Sequence, residues 1–250
     1  MLLNFETALG VGYSSNSQKI RVLSETWTSK NIYCPACGTR VKKFENNRPV
    51  ADFYCPKCTE EFEQKSKQGT FGQKVVAGQY TSMIERLNSE IRPNFFFLQY
   101  MKTMSVTDFF VVPKSFMTPE IIEKRKPLGE TARRAGWIGS TIILPKSGQI
   151  FYVKNGIVAD KANVLNEWQR RTFMAQVNKQ SKGWLIDVMN CISEIDKQEF
   201  SLKQIYGYEK ILQALHPSNK HIRDKIRQQL QFLRDKNYIE FLERGKYRKL

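Results

Sequence analysis

The chain has 250 residues, with 40 Lys or Arg against 24 Asp or Glu, so its formal net charge is +16. This length allows one large domain or two smaller ones, and the basic excess favours a polyanionic partner such as nucleic acid or an anionic membrane surface. Only two histidines are present, which argues against nucleophilic chemistry driven by a histidine base. No stretch approaches the roughly 18 apolar residues of a membrane span, and no leader pattern opens the chain. We therefore expect a cytoplasmic protein that does not interact with membranes.

The sequence up to about residue 178 predicts an α/β or α+β domain built around one central sheet. Residues 15–31 open with capping residues and place Ile20, Leu23 and Trp27 on one helical stripe, which predicts a helix. Alternating or apolar runs predict strands in VADFYC, EEFEQKSK, FFFLQYM, DFFVVP, STIILP and QIFYV. Further helices are expected in SMIERLNSEI and around NVLNEWQRRTFMAQV (residues 163–177), where the domain ends.

The sequence predicts a second, smaller domain in residues 181–250, after a first domain of residues 1–180. An apolar helical stripe covers residues 184–192, and Ser201 and Gln204 form a capping box ahead of a second stripe, which a third stripe follows. The second stripe consists of Ile205, Ile211, Leu212 and Leu215. YIEFL, the turn ERGK and YRKL then predict a two-strand hairpin. Three helices followed by a hairpin is the order of an α+β winged helix, whose third helix enters the major groove of DNA.

The end of the chain is basic, with ten basic and four acidic residues from Ser218 onward. Lys and Arg on a groove helix and a wing suit contacts to DNA phosphates. The alternative is a solvated helical face without a ligand. The candidate DNA-contacting residues here are Arg223, Arg227, Gln228, Gln231, Arg234, Arg244, Lys246 and Arg248.

Four of the five cysteines form two CxxC pairs, Cys34 with Cys37 and Cys55 with Cys58, separated by seventeen residues. This spacing is typical of a tetrahedral zinc site. A redox function would need only one pair, and four thiolates leave no open position for a substrate. The sequence therefore predicts a structural Zn²⁺ site.

Two carboxylates flank the second CxxC pair. Asp52 precedes Cys55 by three residues and Glu63 follows Cys58 by five, so a hairpin that turns at the cysteines would bring both carboxylates level on one face. Lys65, two residues after Glu63, would lie on that face too. Two carboxylates that share a divalent ion beside a lysine have the composition of a phosphodiester hydrolysis site.

A simpler interpretation of this segment is the solvated face of an exposed edge strand, with the charged residues Glu61, Glu63, Lys65 and Lys67. Three features favour the catalytic interpretation. Pro49 and Asp52 precede the E-x-K segment of Glu63 and Lys65 by a suitable distance, zinc would clamp the hairpin, and the rest of the chain suits DNA binding. Together they resemble the PD-(D/E)XK nuclease motif.

Residues 125–139, RKPLGETARRAGWIG, place basic residues and a tryptophan among glycines and a proline. Arginine suits phosphate or guanine, and a tryptophan held by small neighbours suits a loop that meets DNA. The alternative is that the tryptophan is a core residue at the start of the strand STIILP. The candidate DNA contacts of this loop are Arg125, Lys126, Arg133, Arg134 and Trp137.

Several blocks of this sequence closely resemble the DpnI family of methyl-directed restriction endonucleases, namely NSQK, FENNRPVADFYC, EEFEQKSK, TARRAGWIG, IRQQL, LRDK and RGKYRKL. The resemblance implies a PD-(D/E)XK domain with an inserted zinc site joined to a winged helix. It also implies catalytic Mg²⁺ and cleavage of double-stranded DNA at GATC sites with methylated adenine, a sequence that both domains read.

The resemblance also implies individual roles. Asp52, Glu63 and Lys65 take the catalytic places, the backbone carbonyl of Gln64 is a further metal ligand, and Trp137 senses the methyl group. Gln64 stands where an aliphatic residue is expected, so its amide needs a hydrogen-bond partner or costs about 1–3 kcal/mol.

The sequence as a whole thus predicts a cytoplasmic, magnesium-dependent endonuclease that restricts methylated foreign DNA, with no obligate protein partner evident. Two alternatives stay open. One is a zinc-containing winged-helix regulator that binds DNA without cutting it, and the other is an enzyme of the same fold that repairs or resolves DNA without methyl dependence.

Overall fold

The computed structural model describes residues 1–45, 51–89 and 92–250. Within these ranges the chain divides into two compact units. The first unit is Met1–Leu144 with Gly148–Gln169, and the second is Pro145–Ser147 with Arg170–Leu250. Pro49, the first residue of the expected nuclease motif, lies outside the described residues. No helix of the described part is long and apolar enough to cross a membrane.

The first unit is a mixed α/β structure. Its described helices are α1 (Asn16–Asn31), α2 (Tyr80–Asn88) and α3 (Lys161–Gln169). Its described strands are β1 (Lys42–Lys43), β2 (Phe53–Tyr54), β3 (Glu61–Gln68), β4 (Lys74–Gln79), β5 (Asn94–Tyr100), β6 (Val106–Val112), β7 (Ile122–Lys124), β8 (Gly139–Ile143), β9 (Ile150–Lys154) and β10 (Ile157–Val158).

Seven of these strands form a central sheet in the order β1-β2-β3-β5-β6-β9-β10. β3 and β5 run parallel, and the other neighbouring pairs are antiparallel. β5 reads NFFFLQY and is buried along its whole length, as expected for a strand covered on both faces. Its Phe96 stacks on Phe62 of β3, with ring centroids 4.4 Å apart. This packing anchors β3, the strand that carries the candidate catalytic residues.

The expected central sheet is present, but the expectation that it contains STIILP is wrong. STIILP forms β8, which pairs with β4 and β7 in a separate antiparallel sheet of order β4-β8-β7. β8 cannot pair with β6, because β5 and β9 occupy both edges of that strand. The chain leaves β3 through Gly69 and Gly72, whose φ angles of 78° and 63° are left-handed conformations that glycine adopts without steric penalty.

The helix expected over residues 163–177 is two elements. α3 ends at Gln169, and a 3-10 helix covers Thr172–Gln176. Trp168 packs into the core of the first unit, whereas Met174 is fully buried and belongs to the second. The apolar spacing predicted one helix, but its two halves belong to different compact units.

The second unit is mainly helical. Its described helices are α4 (Lys179–Glu194), α5 (Leu202–Tyr206), α6 (Glu209–Leu215) and α7 (Ile222–Asp235). Its described strands are β11 (Glu199–Ser201), β12 (Ile239–Glu243) and β13 (Lys246–Lys249), which form an antiparallel sheet of order β11-β13-β12.

The capping box of Ser201 and Gln204 is confirmed at the start of α5. The helix that was expected to follow it breaks, because Gly207 closes α5 and α6 begins two residues later. Ile211 and Leu215 are consequently 56% exposed each, although the sequence placed them on a buried stripe. β11 was not expected from the sequence, and it adds a third strand to the predicted hairpin.

Candidate zinc centre, catalytic cleft and DNA-contact residues

The sulfur atoms of Cys34, Cys37, Cys55 and Cys58 cluster, each within 4.8 Å of the others. The Sγ atoms of Cys34 and Cys58 are 3.4 Å apart, as are those of Cys37 and Cys55. Four tetrahedral Zn–S bonds of about 2.3 Å separate the sulfurs by about 3.8 Å, which lies within this range. The cluster could therefore hold a structural zinc ion.

The four thiols differ in acidity. Burial raises the pKa of Cys34 and, less strongly, that of Cys58. Burial acts on Cys37 in the same direction, but hydrogen bonds to Thr39 outweigh it and lower the pKa of Cys37 to about 6. Zinc binds the thiolate, and the lowered pKa of Cys37 favours that form.

The second cysteine pair lies at the turn of the hairpin formed by β2 and β3. The register pairs Phe53 with Phe62 and ends there, and the Asp52 N–H donates to the Phe62 carbonyl at 2.9 Å, so Asp52 lies beside the first residues of β3. An Asp52 carboxylate oxygen accepts a hydrogen bond of 2.7 Å from the backbone N–H of Gln64, which fixes its orientation.

β5 pairs with β3 from Phe62 to Gln68, and β2 pairs with its first two residues, Glu61 and Phe62. The Lys65 ammonium lies 2.5 Å from Oε1 of Glu63, and the side chains of Glu63 and Lys65 are only 12% and 26% exposed. The interpretation of this segment as a solvated face is therefore wrong for Glu63 and Lys65, whereas Lys67 is exposed, as that interpretation expects.

These side chains line a cleft of about 480 Å³ in the first unit. The charged residues that line its described walls are Arg21, Glu25, Asp52, Glu63, Lys65 and Arg86. Sequence reasoning singled out three of these six and missed Arg21, Glu25 and Arg86.

Glu25 of α1 is the most buried carboxylate of this cleft, at 4% exposure. Its Oε1 accepts a hydrogen bond of 2.7 Å from Nε of Arg21. The Lys43 ammonium lies 2.7 Å from Oε2 as an ion pair, outside hydrogen-bond geometry. An Arg and a Glu four residues apart usually mark a solvated helix face, so the sequence held no specific signal for this group.

Arg86 of α2 reaches the same site from another element. Its Nη1 donates to Oε2 of Glu63, while Lys65 holds Oε1. The two residues are 23 positions apart in sequence, so only the tertiary fold reveals the pair.

Asp52 has an unusual environment for an acid. Burial raises the pKa of Asp52, the carboxylates of Glu25 and Glu63 add to the rise, and the Gln64 N–H and the Lys65 ammonium oppose it. A cation beside these carboxylates would stabilise the ionised form of Asp52.

The amide of Gln64 has the partners that it requires. Its Oε1 accepts a 2.6 Å hydrogen bond from the hydroxyl of Thr28, and its Nε2 donates to the hydroxyl of Ser66 at 3.1 Å. The amide thus replaces an aliphatic side chain without an unsatisfied polar group.

Residues 125–139 form a loop of the first unit in which Trp137 is half-buried. The Trp137 N–H donates to the carbonyl of Arg134, and its carbonyl accepts from the N–H of Leu128, both at 3.0 Å. The indole ring covers Gly139, where an added Cβ would lie 2.7 Å from the ring. Trp137 is thus a partly exposed ring on a hydrogen-bonded loop. The exposed basic residues of this loop are Arg125, Lys126, Arg133 and Arg134.

α7 buries Ile222, Ile226, Leu230 and Leu233 and presents its opposite face to solvent. The exposed candidates on that face are Arg223, Arg227, Gln228, Gln231 and Arg234. Arg244 is exposed at the turn between β12 and β13, where Gly245 has a φ of 76°.

Several of these basic residues are ion-paired on the surface. The pairs are Arg223 with Glu209, Arg227 with Asp224, Arg234 with Asp235 and Lys246 with Glu243. Exposed pairs contribute only about 0–1 kcal/mol, so a phosphate could displace them. Arg248 differs, because it bridges Glu199 at 2.8 Å and Glu240 at 3.2 Å on the two neighbouring strands. Its position favours sheet stabilisation over DNA contact.

The candidates thus fall into four groups. Asp52, Glu63, Gln64 and Lys65 share the cleft, the four cysteines cluster at the hairpin turn, and the loop of residues 125–139 carries a third group. The α7 and hairpin candidates belong to the second unit.

Fold and site together define a mixed α/β protein with a four-cysteine cluster that could bind zinc and a mainly helical C-terminal unit. A family model described as "DpnI: Dam-replacing family" matches residues 1–177. A second, described as "DpnI_C: Dam-replacing HTH domain", matches residues 180–249. The chain belongs to the DpnI, or Dam-replacing, family, which confirms the resemblance found in the sequence. The family and its helix-turn-helix domain support a DNA-binding, restriction-type function.

Proposed function

We propose that this protein is a magnesium-dependent endonuclease that hydrolyses double-stranded DNA at GATC sites with adenine methylated on its exocyclic amine. The observation that carries the proposal is the cleft that Asp52, Glu63 and Lys65 line together, with Lys65 bound to Glu63. Membership of the Dam-replacing family supports a restriction nuclease with DNA as its partner. In this proposal the first unit is a PD-(D/E)XK domain, and β2 and β3 carry its motif.

Asp52, Glu63 and the backbone carbonyl of Gln64 would hold Mg²⁺, which prefers oxygen ligands. The donor set fits, because two carboxylates line one partly buried cleft and the neighbouring carboxylates contribute to the raised pKa of Asp52. When bound, a divalent ion supplies charge neutralisation at the phosphate and activation of water.

Lys65 would act on the water and on the developing charge. Its ammonium, already beside Glu63, would orient the attacking water and offset negative charge on the phosphate. The water oxygen bonds to phosphorus, the bond from phosphorus to one bridging oxygen breaks, and the departing oxygen takes a proton from solvent. The proton lost by the water passes to solvent, and Lys65 stays protonated.

The C-terminal unit would be the winged helix, with α7 in the major groove and the β12–β13 turn as the wing. The exposed Arg, Lys and Gln side chains of α7 and the wing support this assignment. We infer that both units read the methylated sequence, with Trp137 of the first unit beside the methyl group.

A zinc-containing winged-helix regulator would also explain the cysteine cluster and the C-terminal unit. It would give no role to the partly buried carboxylates Asp52 and Glu63, or to the Lys and Arg that bind Glu63 in the cleft. The endonuclease proposal accounts for both groups of residues.

The test is digestion of one plasmid prepared from adenine-methylating and non-methylating hosts, with Mg²⁺ or with EDTA. We expect cleavage of the methylated plasmid alone, and only with Mg²⁺. Binding without cleavage would favour the regulator, and equal cleavage of both plasmids would favour a methyl-independent enzyme of this fold.

A further inference from the structure

Arg86 is a cation of the cleft that the proposed mechanism does not use. α2 buries Met83 and Leu87 at 6% and 1% exposure, and Arg86 projects from the helix to line the cleft. Its guanidinium donates to one oxygen of Glu63 while Lys65 occupies the other. One carboxylate, itself 12% exposed, is thus shared by two cations.

In the DNA-free protein, cations neutralise the carboxylates of the described cleft. Three carboxylates line it together with three cations, Arg21, Lys65 and Arg86, and Lys43 pairs with Glu25 from outside the lining. A site that selects a free divalent cation concentrates negative charge, whereas here each lining carboxylate is matched by a lining cation. This balance favours entry of a phosphate, and it requires that a cation leave Glu63 when a metal enters.

A guanidinium is suited to such an exchange. It stays protonated at any relevant pH, and its planar fork of N–H donors fits the paired oxygens of a phosphate as well as those of a carboxylate. Lys65 is also bonded to Glu63, but its flexible ammonium makes point contacts and lacks this fork.

We propose that Arg86 is a catalytic residue that moves from Glu63 to the non-bridging oxygens of the scissile phosphate. This inference rests on the proposed endonuclease function and deepens it. In the DNA-free protein Arg86 occupies the Glu63 oxygen, and in the complex it neutralises charge that develops as the water–phosphorus bond forms and the bridging P–O bond breaks. Exchange of Glu63 for phosphate frees the carboxylate as a metal ligand and completes the site only when DNA is present.

The competing explanation is that Arg86 is a positioning residue that holds the rotamer of Glu63. The two explanations predict opposite effects on metal affinity. If Arg86 competes for Glu63, its removal should leave metal affinity of the DNA-free protein unchanged or increase it. If Arg86 only positions Glu63, its removal should weaken metal binding and cleavage together.

The experiment compares wild type, Arg86→Ala, Arg86→Lys and the control Lys74→Ala. Lys74, in the strand that precedes α2, pairs at 2.7 Å with the exposed Glu123, so its removal deletes one positive charge and one ion pair away from the cleft. Single-turnover cleavage of methylated DNA gives the rate constant and the half-saturating DNA concentration. The signal of free Mn²⁺ in electron paramagnetic resonance gives metal affinity without DNA.

For Arg86→Ala we expect a rate constant about 10²-fold lower, as for loss of one transition-state donor, with a smaller change in half-saturating DNA concentration. Mn²⁺ affinity should be equal or higher, Arg86→Lys should recover part of the rate, and Lys74→Ala should match wild type. A rate for Arg86→Ala within threefold of wild type, or a parallel loss of Mn²⁺ affinity, would overturn this inference and leave the proposed endonuclease function standing. If wild type fails to cut methylated DNA, the proposed function fails and the inference fails with it.

Discussion

Asp52 occupies a central position in the proposed mechanism and an unfavourable environment for an ionised acid. Burial is the main cause of its raised pKa, and Glu25 and Glu63 add to it. The folded protein therefore binds this proton more tightly than the unfolded chain. The contribution of Asp52 to stability is full below its unfolded-state pKa and is lost as the pH rises through its folded-state pKa.

Asp52→Asn should therefore abolish cleavage without destabilising the protein. The amide can still accept the hydrogen bond from the Gln64 N–H, and the ionised form is no longer buried. We expect the free energy of unfolding at neutral pH to rise by up to about 2 kcal/mol, as often found when a strained functional group is replaced. Urea denaturation and cleavage assays measure the two effects, and a stable variant that cuts at the wild-type rate would contradict the metal-ligand role.

Trp137 is the residue on which we expect methyl discrimination to depend. Burial of one methyl group is worth about 0.8 kcal/mol, or about fourfold in affinity, which is too little for restriction. An unmethylated adenine would also bring an amine hydrogen against an apolar wall, at a cost of roughly 1–3 kcal/mol. The two contributions reach about 2–4 kcal/mol per adenine, so two adenines allow discrimination of several hundredfold even if they add imperfectly.

Trp137→Ala should lower activity on methylated DNA and reduce the ratio of cleavage rates on methylated and unmethylated duplexes. Gly139→Ala is a matched variant, because its new Cβ would lie 2.7 Å from the indole and displace the ring without removing it. Both variants should reduce the ratio, with a larger effect for Trp137→Ala. A slower Trp137→Ala enzyme with an unchanged ratio would show that the methyl group is sensed elsewhere.

Among single residues, the sequence predicts those whose positions follow from their spacing along one hairpin. Asp52 and Glu63 could be paired from their distances to the cysteines, and Lys65 could be added from the alternation of a strand. Glu25 and Arg86 could not be found in this way, because α1 and α2 reach the cleft only through the tertiary fold. Arg21 and Glu25 even have the spacing of an ordinary surface pair.

The hairpin of β2 and β3 is the element that connects the cysteine cluster to the cleft. β2 has only two residues, Phe53–Tyr54, and the cysteines at the turn lie between the two carboxylates in sequence. A strand pair this short has few ladder hydrogen bonds of its own. Metal ligation at the turn would therefore set the position of Asp52 relative to Glu63.

Cys55→Ser should accordingly destabilise the first unit, not merely slow the chemistry, because zinc binding contributes folding free energy. A loss of several kcal/mol would lower the Tm by about 10 °C, since each kcal/mol shifts a domain of this size by about 2–4 °C. Cys191→Ser is the control, since Cys191 is buried outside the cluster and should affect Tm without loss of zinc. Full zinc content with an unchanged Tm in Cys55→Ser would contradict a structural role.

The sequence predicts which segments form strands better than it predicts which strands pair with each other. STIILP has the composition of a sheet strand and forms β8, but its partners are β4 and β7 because the edges of β6 are taken. β4 reads KVVAGQ. It begins with an exposed lysine, ends with an exposed glutamine and contains a glycine, so its alternation of apolar and polar residues is too weak to identify it as a strand from the sequence alone. Which edge remains free depends on the whole sheet, and no single segment contains that information.

At the scale of the whole molecule, the two compact units determine how the DNA-binding part should be tested. Phe173 belongs to the second unit, where its ring lies 6.1 Å from those of Phe232 and Tyr238, and Met174 is fully buried. A fragment of residues 170–250 keeps these contacts, and a fragment of residues 181–250 loses them. We propose the longer fragment as the independent DNA-binding unit.

The longer fragment should bind methylated GATC duplexes, more weakly than the whole chain and with a steep salt dependence from its phosphate contacts. Loss of a buried Met and its neighbours costs about 2–5 kcal/mol, so the shorter fragment should be markedly less stable. Fluorescence anisotropy at two salt concentrations and thermal melting measure both properties. Equal affinity for methylated and unmethylated duplexes would confine methyl reading to the first unit, and equal melting of the fragments would contradict the packing argument.

The central claim is that the protein hydrolyses methylated DNA at the cleft that Asp52 and Glu63 line. Its most direct test is single-turnover hydrolysis, with Mg²⁺, of synthetic duplexes that contain one GATC site, methylated or unmethylated, by wild type and by Glu63→Gln at matched DNA occupancy. The account predicts that wild type cuts the methylated duplex at least several hundredfold faster than the unmethylated one, as estimated from methyl burial and amine desolvation. It also predicts that Glu63→Gln binds the methylated duplex and leaves it intact. Cleavage by Glu63→Gln at the wild-type rate, or specific binding by wild type with no hydrolysis, would contradict the account.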